Sequence, residues 1–160
     1  MELPVLQRLK KDLDDLRFEL RRKLPKEIEI AREHGDLREN AEYAAAKERQ
    51  GFVNARIGQI EQRIRDLSLY SVDAIPRAAV GYGSQITLEG DDGNEEKYEL
   101  VFPEEVDAAA GLISIGSPLG RALLNKEVGD DVEVVTPMGK RGYSIVQLRT
   151  IHDRPDMTAP

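Results

Sequence analysis

The sequence predicts an α+β chain in two parts: an antiparallel coiled-coil hairpin over residues 1–75, and a small domain over 76–160 made of an antiparallel sheet with one short helix. Leucines near the N-terminus repeat at the coiled-coil period, and a second apolar stripe of the same period follows a short turn. Beyond about residue 76 the pattern changes to short alternating runs separated by Gly, Asp, Asn and Pro.

Leu6, Leu9, Leu13, Leu16 and Leu20 are spaced 3,4,3,4 and share one helix face. The period then slips through Leu24, Ile28 and Ala31, a stutter, and Pro25 sits at the slip, where a missing backbone donor predicts a bend. Val53, Ile57, Ile60, Ile64 and Leu67 form the second stripe, which extends back through Gln50 and Ala46 and predicts a helix over about 37–68. Only Glu33-His34-Gly35-Asp36 separates the two, so they pack antiparallel, with Gly35 suited to a left-handed turn that ends the first helix. Arms of about 28 residues are roughly 40 Å long at the helical rise. A projection of that length, with its tip at residues 34–42, is built to reach.

Ser68 to Tyr82 reads as a linker. Ser84–Glu89 and Glu95–Phe102 then form a hairpin across Gly90-Asp91-Asp92-Gly93-Asn94. Leu112–Ile115 is a third strand, and Ser117-Pro118 opens a helix in the preferred order of cap and then proline. Asp131–Val135 and Tyr143–Ile151 make a second hairpin, and the tail from Arg154, with two prolines, is expected to fray.

Composition removes whole classes of function. The chain has no cysteine and only His34 and His152, so thiolate chemistry is excluded and a histidine zinc site nearly so. No apolar run approaches a membrane span and no basic-then-apolar leader opens the chain, which predicts a cytoplasmic protein. The net charge of −7 falls entirely in the second half: residues 1–75 hold 15 Lys+Arg against 15 Asp+Glu, and 76–160 hold 8 against 15. Free duplex nucleic acid selects a basic face, so a strand is contacted here only where another partner holds it.

Asp36 and Glu39 stand three residues apart at the start of the second helix, with Glu42 continuing the stripe. The spacing fits a capping box, in which the aspartate accepts a backbone N–H and the glutamate reaches back. It also fits a pair of hard oxygen ligands for Mg²⁺, which takes roughly six oxygens, so that the pair would be part of a site completed by a partner. Spacing leaves both readings open.

The run Ala31-Arg32-Glu33-His34-Gly35-Asp36-Leu37-Arg38-Glu39-Asn40-Ala41-Glu42-Tyr43, followed by Ala45-Ala46-Lys47-Glu48-Arg49-Gln50-Gly51-Phe52, resembles the hairpin-tip signature of the bacterial Gre transcript-cleavage factors. The resemblance extends to Pro25, to Ile113–Arg121, to Asn125–Asp130 and to Thr136-Pro137. It implies a coiled coil that enters the secondary channel of bacterial RNA polymerase and an FKBP-like second domain that docks at the channel rim. The polymerase would do the cutting. Asp36 and Glu39 match the two acidic residues that help hold a second Mg²⁺, shared with the polymerase, for hydrolysis of a backtracked transcript. Asn40, Glu42 and Tyr43 match tip-shaping positions, and Arg32 and Lys47 match basic positions facing the nascent RNA 3′ end. Ser117 and Pro118 match the docking loop, where Gly116 departs from the polar or acidic residue usual in relatives.

The resemblance thus predicts an elongation factor that is not itself an enzyme, holds no cofactor stably alone, and rescues arrested complexes. An inhibitory Gre-like paralogue in the same channel is the alternative. A prolyl isomerase is disfavoured, because residues 76–160 offer only Tyr82, Tyr98, Phe102 and Tyr143 as aromatics for both a core and a pocket. Seams that already pair within one hairpin predict a monomer.

Overall fold

The structure, a computed structural model, describes residues 1–36 and 40–158. The chain divides into two compact units, one of Leu6–Tyr70 and one that joins Met1–Val5 to the segment from Ser71 onward.

The first unit is the helical hairpin. Helix α1, Pro4–Phe18, leads into a π-turn, Glu19–Lys23, and then α2, Leu24–Glu33; helix α3, Ala41–Leu67, returns. The two stripes form the seam: Leu9, Leu13, Leu24, Ile28 and Ala31 are buried, as are Ala46, Val53, Ile60 and Leu67. The expected stutter takes the form of the π-turn. Leu24 N–H reaches back to the carbonyl of Glu19, five residues away, and Pro25 follows where an α-helix would need a donor. Arg49 on α3 clamps this turn, its Nε and Nη2 donating to the Glu19 carboxylate at 2.7 and 3.0 Å. That fork holds the Glu19 carboxyl below its ordinary range. Nearer the open end of the hairpin, Arg17 bridges to Glu61 at 2.7 Å.

The second unit is a five-stranded sheet in the order β3-β2-β1-β5-β4. Its strands are β1 Gln85–Gly90, β2 Glu95–Val101, β3 Leu112–Ser114, β4 Asp131–Thr136 and β5 Gly139–Arg149, with helix α4, Pro118–Leu123, between β3 and β4. Three pairings are antiparallel, but β3 runs parallel to β2, so the sheet is mixed rather than antiparallel throughout. Two short 3₁₀ turns, Pro103–Glu105 and Ala108–Ala110, bring the chain back for that parallel pairing. Ile86 and Leu88 of β1, Leu100 of β2, Val132 and Val134 of β4 and Ile145 of β5 pack one face of the sheet with Leu123, and Leu119 and Ala122 of α4 join them.

Three further expectations are corrected. The second half of the supposed linker belongs to the fold: Val80 is fully buried, and its N–H and C=O pair with Lys126 and Asn125. Strand β5 begins at Gly139, four residues earlier than expected, because a tight turn at Pro137-Met138 pairs Thr136 with Gly139 at once. The tail is tied down through Thr158. Arg154 is buried, donating to Gly83 O at 2.9 Å and pairing with Glu99 at 2.6 Å, and helix α5, Pro155–Thr158, follows it.

Candidate functional site at the hairpin tip

The tip is assembled from the last turn of α2 and the first turn of α3. The first helix ends at His34, whose N–H still reaches the carbonyl of Ala31, and Gly35 then takes φ +130°, a conformation open to glycine. Asp36 follows on the exposed turn. Leu37, Arg38 and Glu39 lie outside the described residues, so the predicted carboxylate of Glu39 is located by sequence alone.

The capping-box reading of Asp36 and Glu39 falls partly outside the described residues, and the described cap is a different residue. Helix α3 starts at Ala41, and its N-cap is Asn40, whose Oδ1 accepts from Tyr43 N–H at 3.1 Å. Asparagine wins because its amide has a second end: Nδ2 donates to the carbonyl of Ala31 in the last turn of α2. One side chain therefore satisfies an orphan donor of one helix and an acceptor of the other. An aspartate could do only the first.

Around this bridge the other predicted tip residues take their places. Glu42, in the first turn of α3, meets His34 Nδ1 at 3.0 Å. Tyr43 is half-buried, with the guanidinium of Arg32 6.0 Å from its ring centroid, so those two are brought together across the hairpin. Lys47, one turn further on, donates to Gln50 at 2.9 Å and stays exposed. His34, Asp36, Asn40, Ala41 and Glu42 line one shallow open depression. Sequence reasoning gave His34 no role, and no helical spacing could have paired it with Glu42, since the tip loop separates them. Among the described residues no group of three or more His, Cys, Asp or Glu is placed to hold a metal ion.

Ser117 and Pro118 lie in the other unit, at the start of α4. Ser117 is the N-cap, its Oγ accepting from Gly120 N–H at 3.0 Å and donating to Ser114 O at 2.7 Å, and Pro118 occupies the first turn. Both contacts of the serine are internal and fix the shape of the loop. Sequence reasoning missed the residue that fixes this shape. A Cβ on Gly120 would fall 2.2 Å from Ser114 O, so the helix start sits directly on the end of β3. The departure at Gly116 is harmless to the fold, since a Cβ there would meet only Ser114 Oγ at 3.6 Å.

Among the described residues no helix is long and apolar enough to cross a membrane.

Residues 5–68 match the family "Transcription elongation factor, N-terminal", and residues 75–150 match "Transcription elongation factor, GreA/GreB, C-term". The transcription elongation factor GreA of Nitratidesulfovibrio vulgaris is 44 % identical over 144 residues, covering 89 % of this chain and 88 % of its own. The GreA of Novosphingobium aromaticivorans is 40 % identical over 154 residues, covering 94 % and 97 %. A solved structure, the GreA factor homolog 1 of Thermus thermophilus, aligns at 29 % identity over 90 % of this chain and 94 % of its own with a TM-score of 0.41. With both halves matched and relatives aligned over most of its length, the chain belongs to the GreA/GreB family of transcription elongation factors.

Proposed function

We infer that this factor works in the cytoplasm as a monomer on bacterial RNA polymerase, stimulating the polymerase's own hydrolysis of backtracked nascent RNA and so rescuing arrested complexes. The hairpin reaches through the secondary channel, and the loop at Ser117 and Pro118 docks the second unit at the channel rim. The carrying observation is the tip itself: at the end of a long hairpin the Asn40 side chain bridges the two helix ends, and Gly35 turns the chain into the exposed Asp36.

In this reading Asp36 and Glu39 deliver carboxylate oxygens to the polymerase active site, where they hold a second Mg²⁺ jointly with the enzyme. Hard oxygen donors suit that ion, and their small number explains why the chain alone would not retain it. When bound, the ion supplies Lewis-acid charge stabilisation and a more acidic water beside the scissile phosphodiester. The chain's own residues position rather than cut. Asn40, Glu42 and Tyr43 tie the two helix ends together, which brings the ends of the acidic segment close and lowers the cost of presenting its carboxylates. Arg32 and Lys47 attract the extruded RNA 3′ end by charge, a contact that needs no basic face because the polymerase already holds the strand.

The test is cleavage of labelled RNA in a stalled, backtracked complex with Mg²⁺, comparing the wild type with Asp36→Asn/Glu39→Gln. The wild type should speed release of 3′ fragments, and the double variant should compete for the polymerase without doing so. A wild type that binds and slows cleavage would make the factor an inhibitor, and one that never binds would remove the polymerase from the reading.

A further inference from the structure

The sheet face turned away from the core carries a cleft that includes none of the residues assigned above to transcription. It has a volume of about 310 Å³ and is lined by residues of β1, β2 and β5. Register defines its floor as two rows across the three strands: Lys97, Thr87 and Gln147, and beside them Glu99, Gln85 and Arg149. The pairing of β1 with β5 slips between Thr87 and Leu88, leaving Val146 as an extra residue next to Gln147. Such a bulge increases twist and re-aims neighbouring side chains. Ala110, from the second 3₁₀ turn, closes one side.

The chemistry of the floor is unbalanced. Thr87 is only 9 % exposed, yet its hydroxyl has no hydrogen-bond partner among the described residues. No fully buried side-chain polar atom is left unpaired there, so this hydroxyl meets the cleft rather than the core. The side chains of Lys97 and Gln147, on either side of it, likewise make no hydrogen bond or ion pair among the described residues, and both are exposed. The acidic member, Glu99, is already held by Arg154 at 2.6 Å and by Gln85 at 3.4 Å. Arg149 gives one nitrogen to the carbonyl of Asp153 and keeps its charge. Unused capacity in the cleft is thus a hydroxyl, an ammonium, an amide and part of a guanidinium, which are mostly donors and net positive.

We propose that this cleft binds a small phosphate monoester, with the phosphate over Thr87 between Lys97 and Gln147 and the ester group against Ala110. Donors that approach from two neighbouring strands, around a hydroxyl at the centre, suit a tetrahedral oxyanion better than a planar carboxylate, which asks for two coplanar donors. The volume, equal to that of about ten waters, is enough for a phosphate with a short organic group.

The experiment is a heteronuclear NMR titration of the isotope-labelled full chain with inorganic phosphate, glycerol phosphate and acetate, and with sodium chloride at matched ionic strength. Saturable shifts of the Thr87, Lys97 and Gln147 amides with the phosphates alone are expected. Glycerol phosphate binding more tightly than inorganic phosphate identifies an organic ligand, and equal binding identifies free phosphate as the occupant of the same site. Thr87→Val, which keeps the shape, and Lys97→Gln should each weaken binding about tenfold, the loss of one charge-assisted hydrogen bond, while shifts elsewhere stay as in the wild type. Shifts that do not saturate, that chloride or acetate reproduces, or that both variants leave unchanged would overturn the site.

Discussion

The side-chain amide of Asn40 joins the two helix ends at the tip, donating through Nδ2 to the carbonyl of Ala31 while Oδ1 accepts from Tyr43 N–H. Removing it should loosen both ends at once. Asn40→Ala is expected to destabilise the hairpin by about 1 kcal/mol, the value of one N-cap, with added fraying from the lost interhelix contact. Hydrogen exchange at the Tyr43 amide reads this directly, and it should accelerate far more than exchange near Val53. Asn40→Asp separates the two contacts, since aspartate caps Tyr43 but cannot donate to Ala31. It should keep α3 capped yet lower transcript-cleavage stimulation toward that of the alanine variant, whereas equal activity of Asn40→Asp and wild type would reduce Asn40 to a simple cap.

At the start of α4 the contrast lies between two glycines four residues apart. Gly120→Ala drives a methyl into Ser114 O, 2.2 Å away, and toward the backbone carbon of Ile115 at 3.1 Å, neither of which can swing aside. Thermal melts should show a loss of about 2 kcal/mol or more, in the range of overpacked cores. Gly116→Asp meets open space beyond Ser114 Oγ and should melt like the wild type. Its informative readout is competition for polymerase. A change in affinity without a change in stability marks this position as part of the docking surface.

Much of the hairpin was legible because burial obeys period: the leucine and isoleucine stripes named the seam, and the buried positions fall on them. The helix start at the tip was not. Asp36 and Asn40 are both good caps, and the choice between them depends on a carbonyl nine residues back in the chain, which local spacing does not encode. The parallel pairing of β2 with β3 was illegible for a related reason. A three-residue strand shows the same side-chain pattern in either direction, and direction is decided by the path of the intervening turns. Arg154 was the clearest failure. Prolines nearby made the tail look frayed, while its partners Gly83 and Glu99 lie 71 and 55 residues earlier in the chain.

Arg154 and Glu99 form an enclosed ion pair, with side chains 8 % and 16 % exposed. Arg154→Met is expected to cost about 3 kcal/mol, because it leaves the Glu99 carboxylate poorly solvated and Gly83 O without its donor. Glu99→Leu alone leaves the guanidinium with Asp156 at 3.2 Å and Gly83 O at 2.9 Å and should cost less than Arg154→Met. The double variant should recover much of the loss, since replacing both members of a buried pair with apolar groups removes the desolvation penalty of each. Urea unfolding of the four proteins measures the coupling, and strictly additive losses would mean that each side chain acts through packing alone.

The direction of the pH dependence follows from four carboxyls held below their ordinary values: Glu19 by Arg49, Asp73 by the N-terminal ammonium, Asp92 by the backbone N–H and side chain of Asn94, and Asp153 by the N–H and hydroxyl of Thr150. A carboxyl whose folded value is depressed adds stability that is complete above its unfolded value, near pH 4, and is lost as pH falls through the folded value. The melting temperature should therefore be level near neutrality and drop below about pH 4. On the alkaline side burial raises Tyr82 and Tyr143 and pushes Tyr98 up to about 12. Their contribution is complete below about pH 10 and declines as pH rises toward the folded values. Asp153→Asn isolates one carboxyl from the rest. It removes the charge that Thr150 stabilises while keeping the shape, so it should lower the melting temperature at pH 7 and converge with the wild type under acid, where Asp153 is itself protonated. Curves that remain parallel down to acid would show that Asp153 acts by shape and not by charge.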